Sequence, residues 1–445
     1  MTSVREQAAG EHSGPRMQGG LKRGVDLPGV IAIGLGTAVG VAIFSVIAPA
    51  SGLAGPGMLI SVAIAAVPMF IIAVAYAFMG SALPTSGASY EWPRRFIHPF
   101  VGFLVAWLRI AGSVGAILVL AFVLVRYLSM VVPLPTRPAM AAVFALVFIA
   151  NYLGVGIAAR VQTILMSALV LLFFLFAAWG ATHVQAQNLA PLLPNGWTGV
   201  LAAVPLLVGL FFGIEAATEV GDEIRDSRSA IPAGIAASIL AAVFLYLLVS
   251  AVAIGVLGTP ELAATDTPLL HAAQTFMGPF ATPLIVAAAV VAIGKSLNAL
   301  FLVFSRSLYA MGRSGVLPAR LASVHPRFGT PDVALKTVLA ACMVGLLLPM
   351  NLTTLFLAVN IPTLLKYAST SVSAAQVVRR HPDIYEMARF KLTPRAMSAW
   401  AWAGAGAAVV VVLLGLQADW KPYAALVVWA GIGIAYYIVR RPRSQ

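Results

Sequence analysis

The sequence predicts an all-α membrane protein that crosses the bilayer twelve times. Three observations predict it. Charged residues are only 10% of the 445, against about 25% in soluble proteins. Hydrophobic residues are 60%, and the mean hydropathy is +0.95. A soluble globule could not cover itself with so little polar surface. The apolar residues also fall into runs long enough to span about 30 Å of hydrocarbon.

Windows of about 20 residues give the segments 27–53, 57–83, 99–125, 138–157, 161–182, 200–222, 231–258, 279–306, 334–350, 353–378, 398–416 and 421–439. Residues 1–24 are polar and basic, so they read as a disordered cytoplasmic tail rather than a secretory signal. Segments one to five form a first half, 25–199, and segments six to ten a second, 200–378. Segments eleven and twelve occupy 379–440, and 441–445 is a second tail.

Placing both termini in the cytoplasm puts twenty-one Lys and Arg on that side and three (Arg126, Arg137, Lys421) on the other. That asymmetry is the positive-inside pattern, and it supports an even number of crossings. It also explains the net charge of +13 without nucleic acid, because the basic residues sit between apolar runs rather than in a stripe. Compact loops suit a bacterial inner membrane. The chain is expected to work in the lipid bilayer as a monomer or homodimer.

Enzyme chemistry finds no foothold in the pattern. There is no HExxH, no Cys/His metal spacing and no phosphate-binding glycine loop. The single cysteine, Cys342, sits in an apolar run and excludes a disulfide scaffold. No metal or cofactor is expected, apart from a coupled proton.

Two segments look broken. The first carries Gly34, Gly36 and Gly40 among small and β-branched residues, and glycine is poor in helix interiors. The sixth carries Gly213 beside Glu215 within an apolar run. Unwound backbone survives at membrane depth only where it lines a cavity or meets a ligand. Glycines also serve tight helix packing, but interruptions at matching positions of two halves point to a transporter's site. A half-helix N-terminus favours a carboxylate and a C-terminus favours a cation, so a zwitterion is the natural guest.

Ionisable residues at this depth are costly and need a reason. Glu215, Glu219, Asp222 and Glu223 would share one helix face and line a water-accessible path toward the cytoplasm. Asp222 and Glu223 lie near Arg225 and Arg228 and read more simply as interfacial. Glu215 is either a site acid or a hydrogen-bonded structural one. Lys295, midway along the eighth segment, has four open roles: pairing with Glu215, replacing a sodium ion, carrying a proton, or a purely structural ion pair. Arg109 and Lys366 also read as deep and rank below it, with Asn360 in the tenth segment, while Arg306 reads as snorkelling.

Four motifs in order then resemble the amino acid–polyamine–organocation permeases, over roughly residues 25–440. Gly36, Thr37, Ala38, Val39, Gly40, Val41, Ala42, Ile43 and Phe44 are similar to the family's Gly-Ser-Gly-(Ile/Val)-Phe region. Pro84 to Tyr90 with Gly102, Phe103 and Trp107 resembles its loop and third-helix signature. Phe212, Gly213, Ile214 and Glu215, followed by Asp222, Glu223, Ile231 and Pro232, resembles its sixth helix. Ser305 to Pro318 resembles the end of its eighth.

The resemblance implies the LeuT-like fold, an inverted 5+5 helix repeat with two peripheral helices. It implies a secondary transporter of an amino acid or amine, working by alternating access. The backbone at Thr37, Ala38, Gly40, Val41 and Ala42 would receive the substrate carboxylate. Phe211, Phe212, Gly213 and Glu215 would face it, with Phe211 or Phe212 as gate and Glu215 on the amino group or carrying a proton. Gly112, Ser113 and Asn298 would line the pocket by position. Glu215 and Lys295 would serve coupling.

Departures mark the chain's own character. Val41 and Ala42 replace the usual Ser-Gly pair. Gly209 stands where one antiporter branch carries a tryptophan gate, and Leu169 where proton-coupled or sodium-independent relatives carry a lysine, whose usual role is thus unsupported. Lys295 is the candidate substitute for that lysine. Proton-coupled uptake is the leading expectation. An amino acid or polyamine exchanger without ion coupling is the alternative, and a non-transporting sensor the third. A major-facilitator fold would carry a longer link between segments six and seven than residues 223–230.

Overall fold

A computed structural model describes residues 21, 23–40, 42–265, 267–347, 352–416 and 421–440. Val41, most of the expected tail 1–24 and the tail 441–445 lie outside the described residues, as does the side chain of Asn360. The chain is a multi-pass helical membrane protein, and among the described residues there is no strand beyond two isolated bridges. Its helices are α1 (Leu27–Ala38), α2 (Ala42–Ala54), α3 (Met58–Ala82), α4 (Ala88–Phe96), α5 (Pro99–Leu128) and α6 (Thr136–Tyr152). Then come α7 (Val155–Ala181), α8 (Gly196–Val208), α9 (Ser227–Leu257), α10 (Thr259–Ala263), α11 (Pro268–Met277) and α12 (Ala281–Arg313). The last are α13 (Asp332–Gly345), α14 (Leu352–Arg380), α15 (Pro382–Met387), α16 (Pro394–Leu416) and α17 (Lys421–Arg440).

Among the described residues, five helical runs are long and apolar enough to cross a membrane: 46–82, 99–128, 155–181, 227–257 and 268–313. Their outer faces are apolar and open. Leu146, Ile164, Leu171, Leu240 and Val427 are each at least 60% exposed. Such faces fit lipid, since hydrocarbon demands that backbone polar groups be satisfied internally while side chains may be greasy.

The first segment does divide, but not at the first two glycines. Asp26 caps α1 by accepting from the Gly29 amide at 3.0 Å, and the helix runs through Gly34 and Gly36. Those two glycines serve close approach instead. A Cβ on Gly34 would lie 2.5 Å from the Ile214 carbonyl oxygen, and one on Gly36 1.9 Å from Gln162 Nε2. The helix stops after Ala38, and α2 starts at Ala42, so the interruption falls at Val39 and Gly40.

The sixth segment departs further from expectation. After α8 the chain turns through short 3₁₀ pieces at Gly209–Phe211, Ala216–Glu219 and Gly221–Glu223. Phe212 is extended, and Gly213 has φ +99°, a left-handed value that glycine tolerates. The expected single helix face of acids therefore does not form. Each carboxylate takes its own direction and its own cation. Glu215 pairs with Lys366, Glu219 with Arg109 and Glu223 with Arg306.

Glu223 is not an interfacial solvated acid, and Arg306 does not snorkel. Both side chains are 0% exposed, joined by two hydrogen bonds of 2.7 and 2.9 Å. The Glu223 carbonyl also accepts from the Gly24 and Val25 amides, which ties the entry to α1 to the end of this turn region. Asp222 accepts from the Ser86 amide at 2.9 Å and faces Arg313 at 3.9 Å.

Helices α1, α7, α9 and α12 pack together at the centre, while α2 packs on α8, α10 and α11. Residues 259–278, between the expected segments 231–258 and 279–306, carry two short helices, with α10 and α11 bracing α2. Helix α16 lies on α3 and α14, and α17 on α5 and α14. Trp107 and Trp429 lock α17 to α5, since their rings stack at 4.8 Å and each indole donates to the other's carbonyl.

Breaking one half of a fully buried ion pair strands the other charge and costs roughly 3–5 kcal/mol. Arg306→Met is expected to lower thermal stability in detergent by that order, and Arg306→Met with Glu223→Leu to recover much of the loss. Equal melting temperatures for single and double variants would remove the pair from the stability of the fold.

Candidate substrate cavity

The two interruptions face one hollow of about 470 Å³. From the first come Thr37, Ala38, Gly40 and Ala42, and from the second Gly209, Phe212, Gly213, Glu215 and Ala216. Helix α5 contributes Arg109, Ala116, Val119 and Leu120, and α12 contributes Ser296, Leu300 and Val303. Val46, Leu206, Thr363 and Lys366 complete the wall. One part of it is aliphatic, and the polar groups are few and placed.

The broken backbone is satisfied by its neighbours. A helix end leaves carbonyls without partners inside the helix. Tyr246 Oη of α9 lies 2.8 Å from Leu210 O and 3.2 Å from Ala38 O, so a single phenolic hydrogen is shared between the two breaks. Lys295 Nζ donates to Gly36 O at 3.0 Å and to Val39 O. Ser296 Oγ adds a bond of 3.0 Å to Gly36 O. A cation at the C-terminal end of α1 is also what the helix dipole favours. Lys295 is 0% exposed. It contacts the carbonyls and does not pair with Glu215.

Glu215 is held rather than offered. One carboxylate oxygen takes the Lys366 ammonium, and the other accepts from Tyr367 Oη at 2.9 Å. Tyr367 Oη in turn accepts from the Gly213 amide at 3.0 Å. Gly213 is fixed from the other side too, because a Cβ there would lie 2.4 Å from Thr37 Cγ2. Beyond this pair, Arg109 donates to Ser89 Oγ at 2.8 Å and Glu219 at 3.3 Å.

The other predicted residues are scattered. Phe212 lines the hollow and meets the Tyr367 ring edge-on at 5.8 Å. Phe211 points elsewhere and packs on Tyr246 at 5.5 Å. Gly112 and Ser113 are buried on α5, but the wall takes other residues of that helix. Asn298 is away from the cavity altogether. Its amide donates to Ala158 O and Gln162 Oε1, each at 3.0 Å, and its carbonyl accepts from Asn151 at 2.9 Å. It is a buried structural amide joining α6, α7 and α12.

Tyr246, Tyr367, Tyr76 and Ser296 escaped the sequence reading. A polar run from Lys366 to Ser373 in an apolar segment was the available signal for Tyr367. Tyr246 left none, because a lone tyrosine in a membrane segment is unremarkable until its partners are known.

An all-helical membrane protein whose interrupted helices enclose such a hollow is built as a small-molecule transporter. The chain belongs to the amino acid permeases of the amino acid–polyamine–organocation superfamily, and the amino acid permease profile matches residues 26–438. It is 27% identical to the branched-chain amino acid permease BcaP of Bacillus subtilis, over 96% of this chain and 94% of that one. It is 32% identical to an uncharacterized transporter of Mycobacterium tuberculosis, over 72% and 73% of the two chains. It is also 26% identical to the methylthioribose transporter of Bacillus subtilis, over 81% and 82%.

Two buried polar side chains should separate cavity from scaffold. Each loss leaves buried groups unsatisfied, worth roughly 1–3 kcal/mol apiece. Asn298→Ala is expected to lower the melting temperature and leave the KM of uptake unchanged. Tyr246→Phe is expected to depress uptake as well, because both breaks lose a partner. A changed KM in Asn298→Ala, measured in proteoliposomes, would return Asn298 to the site.

Proposed function

We propose that this permease takes up an amino acid with an apolar side chain by proton-coupled alternating access. The observation that carries the reading is the hollow itself, bounded by both broken segments and aliphatic over much of its wall. The N-terminal end of α2 borders the hollow at Ala42, and the positive end of a helix suits a substrate carboxylate. Val46, Val119, Leu120, Leu206, Leu300 and Val303 would receive the side chain. The named substrate of BcaP, a branched-chain amino acid, fits that wall. The name of the methylthioribose transporter is the reason the substrate needs a test of its own.

The architecture proposed with it is twelve crossings in two inverted five-helix halves, with α16 and α17 peripheral and both termini cytoplasmic. The segment 196–223 then descends toward the cytoplasm. The pair Glu219–Arg109 borders the hollow through Arg109, and Glu223–Arg306 follows further along the segment. They would close the cytoplasmic side in the state described. Helix α1 would move with its tethered partners when that side opens.

In this mechanism Lys295 is the coupling group. It grips the last carbonyls of α1, so a change in its proton occupancy alters the hold of α12 on the break. Glu215 acts on the other broken segment through Lys366 and Tyr367. An exchange mechanism without ion coupling is the second reading, because the Glu215–Lys366 pair already neutralises the acid that a proton would need.

Uptake of labelled leucine into proteoliposomes with an empty lumen should respond to an imposed proton gradient. Lys295→Met should remove that response while folded protein persists. Counterflow that requires internal substrate and ignores the gradient would favour exchange. Glu215→Gln should cut uptake strongly, and normal uptake with unchanged pH dependence would take Glu215 out of the mechanism.

A further inference from the structure

The surroundings of the Lys366 ammonium resemble a binding site for an amine more than a simple salt bridge. The ammonium contacts the Glu215 carboxylate and lies 4.8 Å from the centre of the Tyr367 ring and 5.8 Å from that of Tyr76. The two rings stand nearly perpendicular, 86° apart at 5.8 Å. Thr370 Oγ1 fixes Tyr76 by donating to its hydroxyl at 3.0 Å, and the Gly213 amide fixes Tyr367. A carboxylate with aromatic faces on two sides is the arrangement that recognises ammonium cations. All four side chains are buried, and Lys366 and Glu215 also border the hollow.

We infer that Lys366 is a tethered occupant of an amine socket opening on the cavity, and that it sets the selectivity of the cavity against cationic substrates. The socket is preformed, since each of its groups is anchored by a bond to something other than the lysine. Lys366 reaches it through its own four-carbon stem from α14. A substrate with a free ammonium on its side chain would need that place and finds it taken. A zwitterion with an apolar side chain does not compete for it. Removing the stem beyond Cβ would leave a vacancy of the length of n-propylammonium, lined by Glu215, Tyr76 and Tyr367. The selectivity half of this inference rests on the proposed function of the cavity, and the socket itself does not.

Two measurements test it. In purified Lys366→Ala, n-propylammonium should raise the melting temperature in a saturable way, and n-propanol should not. The unsubstituted protein and Lys366→Ala with Glu215→Gln should show no such rise. A folded Lys366→Ala that ignores n-propylammonium, or a double variant that responds as strongly, would overturn the socket. In the unsubstituted protein, a large excess of putrescine or n-propylammonium should leave leucine uptake unchanged, and competition there would overturn the exclusion. If Lys366→Ala does not fold, the competition measurement decides alone. If the unsubstituted protein does not carry leucine, the proposed substrate fails, while the melting measurement still judges the socket.

Discussion

Peptide groups laid bare at membrane depth must find partners inside the protein, and the centre of this structure is arranged around that need. Hydrocarbon offers no water to an exposed carbonyl or amide. The chain interrupts α1 from α2 and abandons the α-helix from Gly209 to Glu223. Side chains from three other helices then close the account: Tyr246 from α9, Lys295 and Ser296 from α12, and Tyr367 from α14. None of these contacts is local in sequence. The interruptions and the packing of α9, α12 and α14 are therefore one structure. A change in the position of any of these helices changes which peptide groups are satisfied.

The same loss of helix explains the ion pairs. On a continuous helix the carboxylates of Glu215, Glu219 and Glu223 would stand four residues apart on one side and repel one another. The 3₁₀ turns spread them toward α14, α5 and α12. Each acid then meets a cation from a different helix. Burying two opposite charges together contributes little net stability, because desolvation offsets attraction. Its effect is on specificity: a helix that moves away strands a charge. Three such pairs fix three helices to one irregular segment.

The sequence made the membrane class, most segment positions and the existence of two irregular segments legible. Composition and the spacing of apolar runs carry that information, since lipid constrains every residue of a span. The location of the first break was less legible, because a glycine needed for packing looks like a glycine needed for bending. Gly34 and Gly36 are of the first kind, and only the neighbouring Ile214 and Gln162 reveal it. Pairing was not legible at all. Pairing with Glu215 was one of four roles that depth left open for Lys295, yet each is bound to something nearer, Gly36 and Val39 in one case and Lys366 in the other. Depth fixes a plane across the bilayer, and position within that plane depends on helix rotation. Asn298 erred for the same reason, facing α6 and α7 rather than the hollow.

Charge bookkeeping within the hollow connects these points to transport. Its wall carries Glu215, Arg109 and Lys366. The two cations are both engaged, by Glu215 and by Glu219 behind it. The charges on the wall are thus paired within the protein. A hollow already neutral in this way has little attraction for a net charge and loses little by admitting a zwitterion, whose own two charges cancel. In the function proposed for it, what would remain to discriminate guests is shape against the aliphatic wall. On the proposed reading such a cavity would select by side-chain volume and polarity, while its ion pairs would both tie down the helices that move and keep a competing amine from Glu215.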